Sequence, residues 1–325
     1  MASTGIGHPA NLVEFEKRFR SESACLQYLA HIRWPCGFQC ERCRGTRGWA
    51  LVKRGLWECR DCHHQTSVTA GTLFEGTRKP LNLWFRAMWF IASQKNGVSA
   101  LALQRQLGLK RYETVWTWLQ KLRRAMVRPN RDRLSGIVEV DETYVGGEEI
   151  GVRGRKTHKK ALVLVAAEEQ GKRIGRIRLE RVKDASASTL LPFIERVVVP
   201  GSVIHTDGWD AYAGVSQKGY RHQVTKIQGS GQEAHELLPR VHRVASLLKR
   251  WLLGTHQGAV RKKHLEYYLD EFTFRFNRRS SRERGKLFRR LIEQALQYDP
   301  LTWTEVAAGK AATTRSAGSE PERTG

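Results

Sequence analysis

Two sets of residues in this 325-residue sequence have types and spacings that could do chemistry. The first is Cys40-x-x-Cys43 followed, fifteen residues later, by Cys59-x-x-Cys62. Each pair supplies two thiolates from one tight turn, and two such knuckles at this separation are the ligand pattern of a tetrahedral zinc ribbon. A redox role would need only one pair. Disulfides belong to exported chains, and the opening stretch MASTGIGHPANLVEFEKRF lacks the apolar centre of a signal peptide. The expectation is a closed, structural Zn²⁺ site at Cys40, Cys43, Cys59 and Cys62. Cys25, in SACLQYLAHIRW, reads as a small buried hydrophobe.

The second set is acidic and sits inside a strand pattern, GIVEVDETYVGG at 136–147. Glu139 and Asp141 are two residues apart and so share one face. A carboxylate in a buried strand is costly unless something compensates it. A divalent cation would, and hard oxygen ligands select Mg²⁺ or Mn²⁺. The stretch SVIHTDGWDAY supplies a second strand-end acid, Asp207, followed by Gly208. Acids so placed suit a two-metal phosphoryl-transfer site. The competing reading of Asp207 is a turn or cap residue. Trp209 reads as a core residue in preference to a base-stacking wedge.

Three blocks must position these groups. The first, 12–75, holds an N-terminal helix and the cysteine knuckles. The second, 80–130, is helical. Ser99 caps a short helix, LGLKR forms a turn, and Val115, Trp116, Leu119 and Leu122 recur at helical period. A helical pair with glycine in the turn is the helix-turn-helix plan, or an ordinary helical hairpin. Arg111, Lys121, Arg123 and Arg124 favour the DNA-binding form. The third block, 136–298, alternates strands (ALVLVAAE, RIGRIRLERV, SVIHTD) with helices (SASTLLPFIERVV, RVHRVASLLKRWLL, HLEYYLDEFTFRFNRR). The segment 305–325 has no apolar period and reads as a disordered tail.

Charge narrows the class of partner. The chain carries 56 Lys+Arg against 32 Asp+Glu, a net +24. Residues 1–135 hold 23 basic and 9 acidic side chains, and 240–290 hold 15 and 4. The stretch between is almost neutral, so positive charge brackets the acids. A polyanion is the partner this balance favours, and nucleic acid is the commonest one. No run of eighteen apolar residues occurs, so a soluble cytoplasmic protein is expected.

In combination, the ribbon, the helical pair, VEVDETYVGG, HTDGWDAY and HLEYYLDEFTFRFNRR resemble bacterial insertion-sequence transposases of the ISXO2-like, Merlin-related branch. The resemblance covers about residues 12–298. It implies an α/β, ribonuclease-H-like catalytic domain behind a zinc ribbon and a helix-turn-helix. It also implies Mg²⁺- or Mn²⁺-dependent cutting and joining of DNA by a homo-oligomer, with Asp141 and Asp207 as the first two metal ligands. The rival readings are a DNA-binding regulator and a nuclease that cuts without joining. In the family pattern a third Asn, Glu or His stands two residues before a lysine. VASLLKRW puts Leu247 there and makes Lys249 the lysine. Leucine cannot bind metal, so either another residue substitutes, Glu271 first with His242 and Glu139 behind it, or this copy is catalytically weak or dead. Lys249, Arg275, Arg278 and Arg279 are expected on phosphates. The Gly-rich, basic loop GGEEIGVRGRKTHKK reads either as a strand-closing loop or as a solvated hairpin.

Overall fold

A computed structural model describes residues 7–128, 131–147, 159–225 and 234–309. The basic loop after residue 147 lies mostly outside the described residues, as does the tail after 309. The chain forms two compact units, Met1–Pro129 with Ser281–Gly325, and Asn130–Ser280.

The first unit opens with α1 (Leu12–Arg18) and α2 (Glu22–Arg33), capped by the side chains of Asn11 and Ser21. A small antiparallel sheet follows, β1 (Gly48–Leu51), β2 (Leu56–Cys59) and β3 (Gln65–Ser67), in that order. Three helices come next: α3 (Leu81–Ser93), α4 (Ala100–Leu107) and α5 (Tyr112–Ala125). Ser99 accepts from the Ala102 N–H at the start of α4. Gly108 ends that helix in the left-handed region at φ 63°, which glycine adopts without a Cβ penalty.

The second unit is built on β4 (Ile137–Val145), β5 (Ala161–Gln170) and β6 (Arg173–Val182), joined antiparallel. Helix α6 (Ala187–Val197) then leads to β7 (Val203–Thr206), and a 3₁₀ segment (Asp210–Lys218) to β8 (Arg221–Val224). The sheet order is β6-β5-β4-β7-β8, with β7 parallel to β4 and β8 parallel to β7. Three antiparallel strands extended by two parallel ones are the ribonuclease-H-like arrangement expected from the sequence. After the short α7 (Ala234–Leu237), the helices α8 (Pro239–His256) and α9 (Leu265–Phe276) pack on one face, against Val163 and Val165. Helix α6 and the 3₁₀ segment cover the other, against Val138, Val140 and Leu164. Burial on both faces explains why β5 reads as an unbroken apolar run.

The chain then returns to the first unit through α10 (Arg284–Ala295) and α11 (Trp303–Ala308). Residues 281–298, read from sequence as the end of the third block, therefore fold with the N-terminal helices. Phe288 is the reason: its ring meets those of Phe15, Phe19 and Phe85 at centroid distances of 5.3, 5.5 and 5.7 Å. Aromatic pairs at such distances add to simple area burial. Gln294 donates to the Ala125 carbonyl at 2.6 Å and fixes the register of α10. Helix α11 runs into the stretch read as a tail, started by a capping box between Thr302 and Glu305. Among the described residues no helix is long and apolar enough to cross a membrane.

Candidate functional site

The cysteine knuckles are two copies of one turn. Arg44 and His63 each donate their N–H to the carbonyl of the leading cysteine, Cys40 or Cys59, at 3.0 Å. Cys40 and Cys59 in turn donate to the carbonyls of Gly45 and His64. Arg44 and His63 adopt φ of 62° and 56°, the left-handed twist that folds each CxxC back on itself. The four sulfur atoms lie within 4.8 Å of one another, with Cys40–Cys62 at 3.6 Å and Cys43–Cys59 at 3.5 Å. Zinc–sulfur bonds of about 2.3 Å in a tetrahedron imply sulfur separations of about 3.8 Å, so the quartet fits one Zn²⁺. Cys43→Ser removes a ligand from a small sheet with little core of its own. Metal analysis should find about one Zn²⁺ per wild-type chain and a clear deficit in the variant. Cys25 is fully buried, and burial pushes its thiol up to about 12, as fits an inert hydrophobe.

The acids of the second unit are placed by strand register. The parallel pairing of β4 with β7 sets Glu139 opposite His205. Asp141 follows two residues after Glu139, in the middle of β4, and Asp207 comes immediately past the end of β7. Asp207 Oδ1 accepts the N–H of Trp209 at 3.0 Å, which fixes the turn leaving β7. Next to Asp141 in sequence, Glu142 accepts at Oε2 from the buried phenol of Tyr212 at 3.2 Å. Burial pushes that phenol well up, and the charges of Glu142, Asp141 and Asp207 add to the shift. One phenol thus senses both aspartates.

Helix α8 supplies the rest of this cluster. His242 Nε2 lies 3.5 Å from Asp141 Oδ2. Lys249 is seven residues on, so it shares the same helical face. Burial and the neighbouring Lys160 lower its ammonium below the ordinary lysine value, while Asp141 opposes them. Leu247 is five residues from His242, about 140° around the helix, and packs against the core instead. His242, not Leu247, is the α8 residue that stands against Asp141.

Glu139 has a different partner from the one expected. It is fully buried, and it accepts the backbone N–H groups of Arg240 and Val241 at 2.7 and 2.9 Å. The Arg240 guanidinium adds a 2.7 Å contact. These N–H groups belong to the first turn of α8, where helix donors lack internal partners and the dipole favours an anion. The acid is compensated by a helix start and an arginine, not by a cation from solution.

Glu271 on α9 is also fully buried, and its Oε1 accepts from Arg275 Nε at 3.2 Å. Among the described residues only the four cysteines form a group of three or more closely set metal-type ligands. Arg278 lies over the Phe274 ring at 4.2 Å. Arg279 lies over Phe276 and donates to the carbonyls of Ile174, Gly175 and Phe276, which ties the end of α9 to the start of β6. Trp209, read as core, is instead 40% exposed, its indole N–H donating to the Ala185 carbonyl at 3.3 Å.

Of the basic residues assigned to the helical pair, Arg111 is exposed at the start of α5 and Lys121 and Arg124 are half-buried. Arg123, expected on DNA, is only 1% exposed and donates to Gln120 Oε1 at 3.2 Å. It is an interior residue of this unit, because α5 is packed on most of its circumference. The end of α5 left open is the N-terminal one, Arg111, Tyr112 and Glu113.

Comparison with known proteins places these features. Residues 133–277 match the ISXO2-like transposase domain, and residues 20–65 match the transposase zinc-ribbon domain. An uncharacterized protein in transposable element ISH50 of Halobacterium salinarum is 28% identical over 306 residues, 86% of this chain and 99% of that one. An uncharacterized transposase-like protein of Haemophilus influenzae is 25% identical over 35% of this chain and 92% of its own. Among solved structures, a chain of the Mos1 strand transfer complex overlaps 69% of this chain and 77% of its own at 14% identity. Its TM-score of 0.29 is too low to carry any argument. The chain thus carries a transposase zinc-ribbon domain followed by an ISXO2-like transposase domain, and over most of its length it is similar to an insertion-element protein.

Proposed function

We propose that this transposase binds the ends of its own element and catalyses divalent-metal-dependent cleavage and joining of DNA strands at Asp141, Asp207 and His242. What supports the reading is the pairing of β4 with β7 beside α8: Asp141 lies on β4, Asp207 immediately past β7, and His242 of α8 stands 3.5 Å from Asp141. The two carboxylates suit Mg²⁺ or Mn²⁺, with His242 as the third member. A bound divalent ion supplies charge neutralisation at the phosphodiester and a more acidic attacking hydroxyl. Lys249, exposed on the same helical face as His242, takes up phosphate charge. Tyr212 holds Glu142, the neighbour of Asp141, through its hydroxyl. Bringing two element ends together calls for a homo-oligomer at the prokaryotic nucleoid.

DNA binding should fall steeply with salt, because each neutralised phosphate releases counterions. For six to ten phosphate contacts the loss between 50 and 200 mM salt is about 10³–10⁵ in affinity. Arg111→Ala should reduce the slope of that dependence by about one. Fluorescence anisotropy over a salt series measures both, and a flat series would remove the charge argument.

A further inference from the structure

The first unit contains a cavity of about 570 Å³ that the catalytic reading does not use. Its wall is tryptophan. Trp84 and Trp118 stack with ring centroids 4.1 Å apart, and the Trp84 indole N–H donates to the Thr77 hydroxyl at 2.7 Å. Trp303 of α11 lines the same cavity while remaining 59% exposed. Arg78 and Lys79, from the link into α3, join Arg111 and Lys121 of α5 in the lining, against Glu75 and Glu113. Four cations against two carboxylates leave a net charge of +2. Burial lowers the Lys121 ammonium below the ordinary lysine value, with Glu305 opposing.

A cavity lined by tryptophans, with Trp303 open to solvent, and by cations suits a ligand that is flat and aromatic at one end and anionic at the other. The volume lies within the range of small-ligand sites. The cavity also adjoins the open N-terminal end of α5, the end by which such helices approach a groove.

We infer that this cavity receives a nucleotide extruded from a DNA strand, its base against the tryptophans and its phosphates on the surrounding cations. The inference rests on the DNA reading above. The recognising chemistry is that of a nucleoside 5′-phosphate, which a strand or a free nucleotide could present. Arg111 and Lys121, read from sequence as DNA-binding residues of the helical pair, would thereby hold the phosphates of that nucleotide.

The test uses full-length protein and two duplexes of one sequence, fully paired or carrying a single unpaired 2-aminopurine. Base–aromatic stacking is worth roughly 1–3 kcal/mol per base, so the wild type should prefer the bulged duplex by about five-fold or more and quench its 2-aminopurine. Trp303→Ala should abolish the preference and leave affinity for the paired duplex unchanged, while Trp303→Phe retains it. Equal binding of both duplexes by the wild type, or a preference that survives Trp303→Ala, overturns the inference and leaves the DNA reading standing. Deoxyadenosine 5′-monophosphate that binds as tightly as the bulged duplex assigns the cavity to a free nucleotide and overturns the strand site. Binding to neither duplex sinks the DNA reading itself.

Discussion

Asp141→Ala and Asp207→Ala each reduce Mg²⁺-dependent cleavage of DNA carrying the element's ends to background while leaving DNA affinity unchanged. Each removes one carboxylate of the proposed pair, the first on β4 and the second immediately past its neighbour β7. A divalent ion contributes several kcal/mol of charge stabilisation in such sites, so the expected loss is on the order of 10³-fold or more. His242→Ala should behave like the two aspartate variants, because its ring stands against Asp141. Glu271→Gln should not, since that carboxylate is engaged with Arg275 in the interior. Leu247→Asn should restore nothing, because position 247 faces the core. Gel-based cleavage of end-labelled DNA, with anisotropy as the binding control, separates these outcomes. Retained cleavage in His242→Ala alone would remove the histidine from the site and keep the aspartate pair.

The second large effect is on stability. Glu139→Ala leaves the first N–H groups of α8 without their acceptor and the Arg240 guanidinium without its closest carboxylate. Removing one partner of a buried pair costs about 3–5 kcal/mol, against a total stability of about 5–15 kcal/mol for a domain. The second unit should therefore melt far earlier in denaturant, with no recovery on adding Mg²⁺. Recovery with Mg²⁺ would return Glu139 to the metal site. Glu139→Gln, which keeps an acceptor but not the charge, should fall between wild type and Glu139→Ala.

What could be read from the sequence was what depends on local spacing. The cysteine knuckles close over four residues each, so the CxxC pattern was enough to find a quartet that assembles. Ser99 and Gly108 act within one turn of α4, and both do what their residue types suggest. The alternation of strands and helices led to the ribonuclease-H-like sheet, because each β-strand carries its own apolar pattern.

What could not be read depends on partners far away in sequence. Glu139 finds its partners at Arg240 and Val241, about a hundred residues on, so the puzzle of an acid in a strand was visible and its solution was not. The return of α10 rests on Phe288 meeting Phe15 and Phe85, a contact with no local trace. Arg123 is buried because α5 is enclosed on more sides than a two-helix pattern implies. Trp209 is exposed because the turn after Asp207 holds its indole against Ala185.

The most direct measurement is strand joining. Full-length protein is incubated in Mg²⁺ with a labelled, pre-cut end fragment bearing a free 3′-hydroxyl and with a supercoiled plasmid. Wild-type protein should move label into the plasmid, and Asp207→Ala, tested beside it under identical conditions, should move none. Equal joining by Asp207→Ala and wild type would contradict the assignment of this site to phosphoryl transfer.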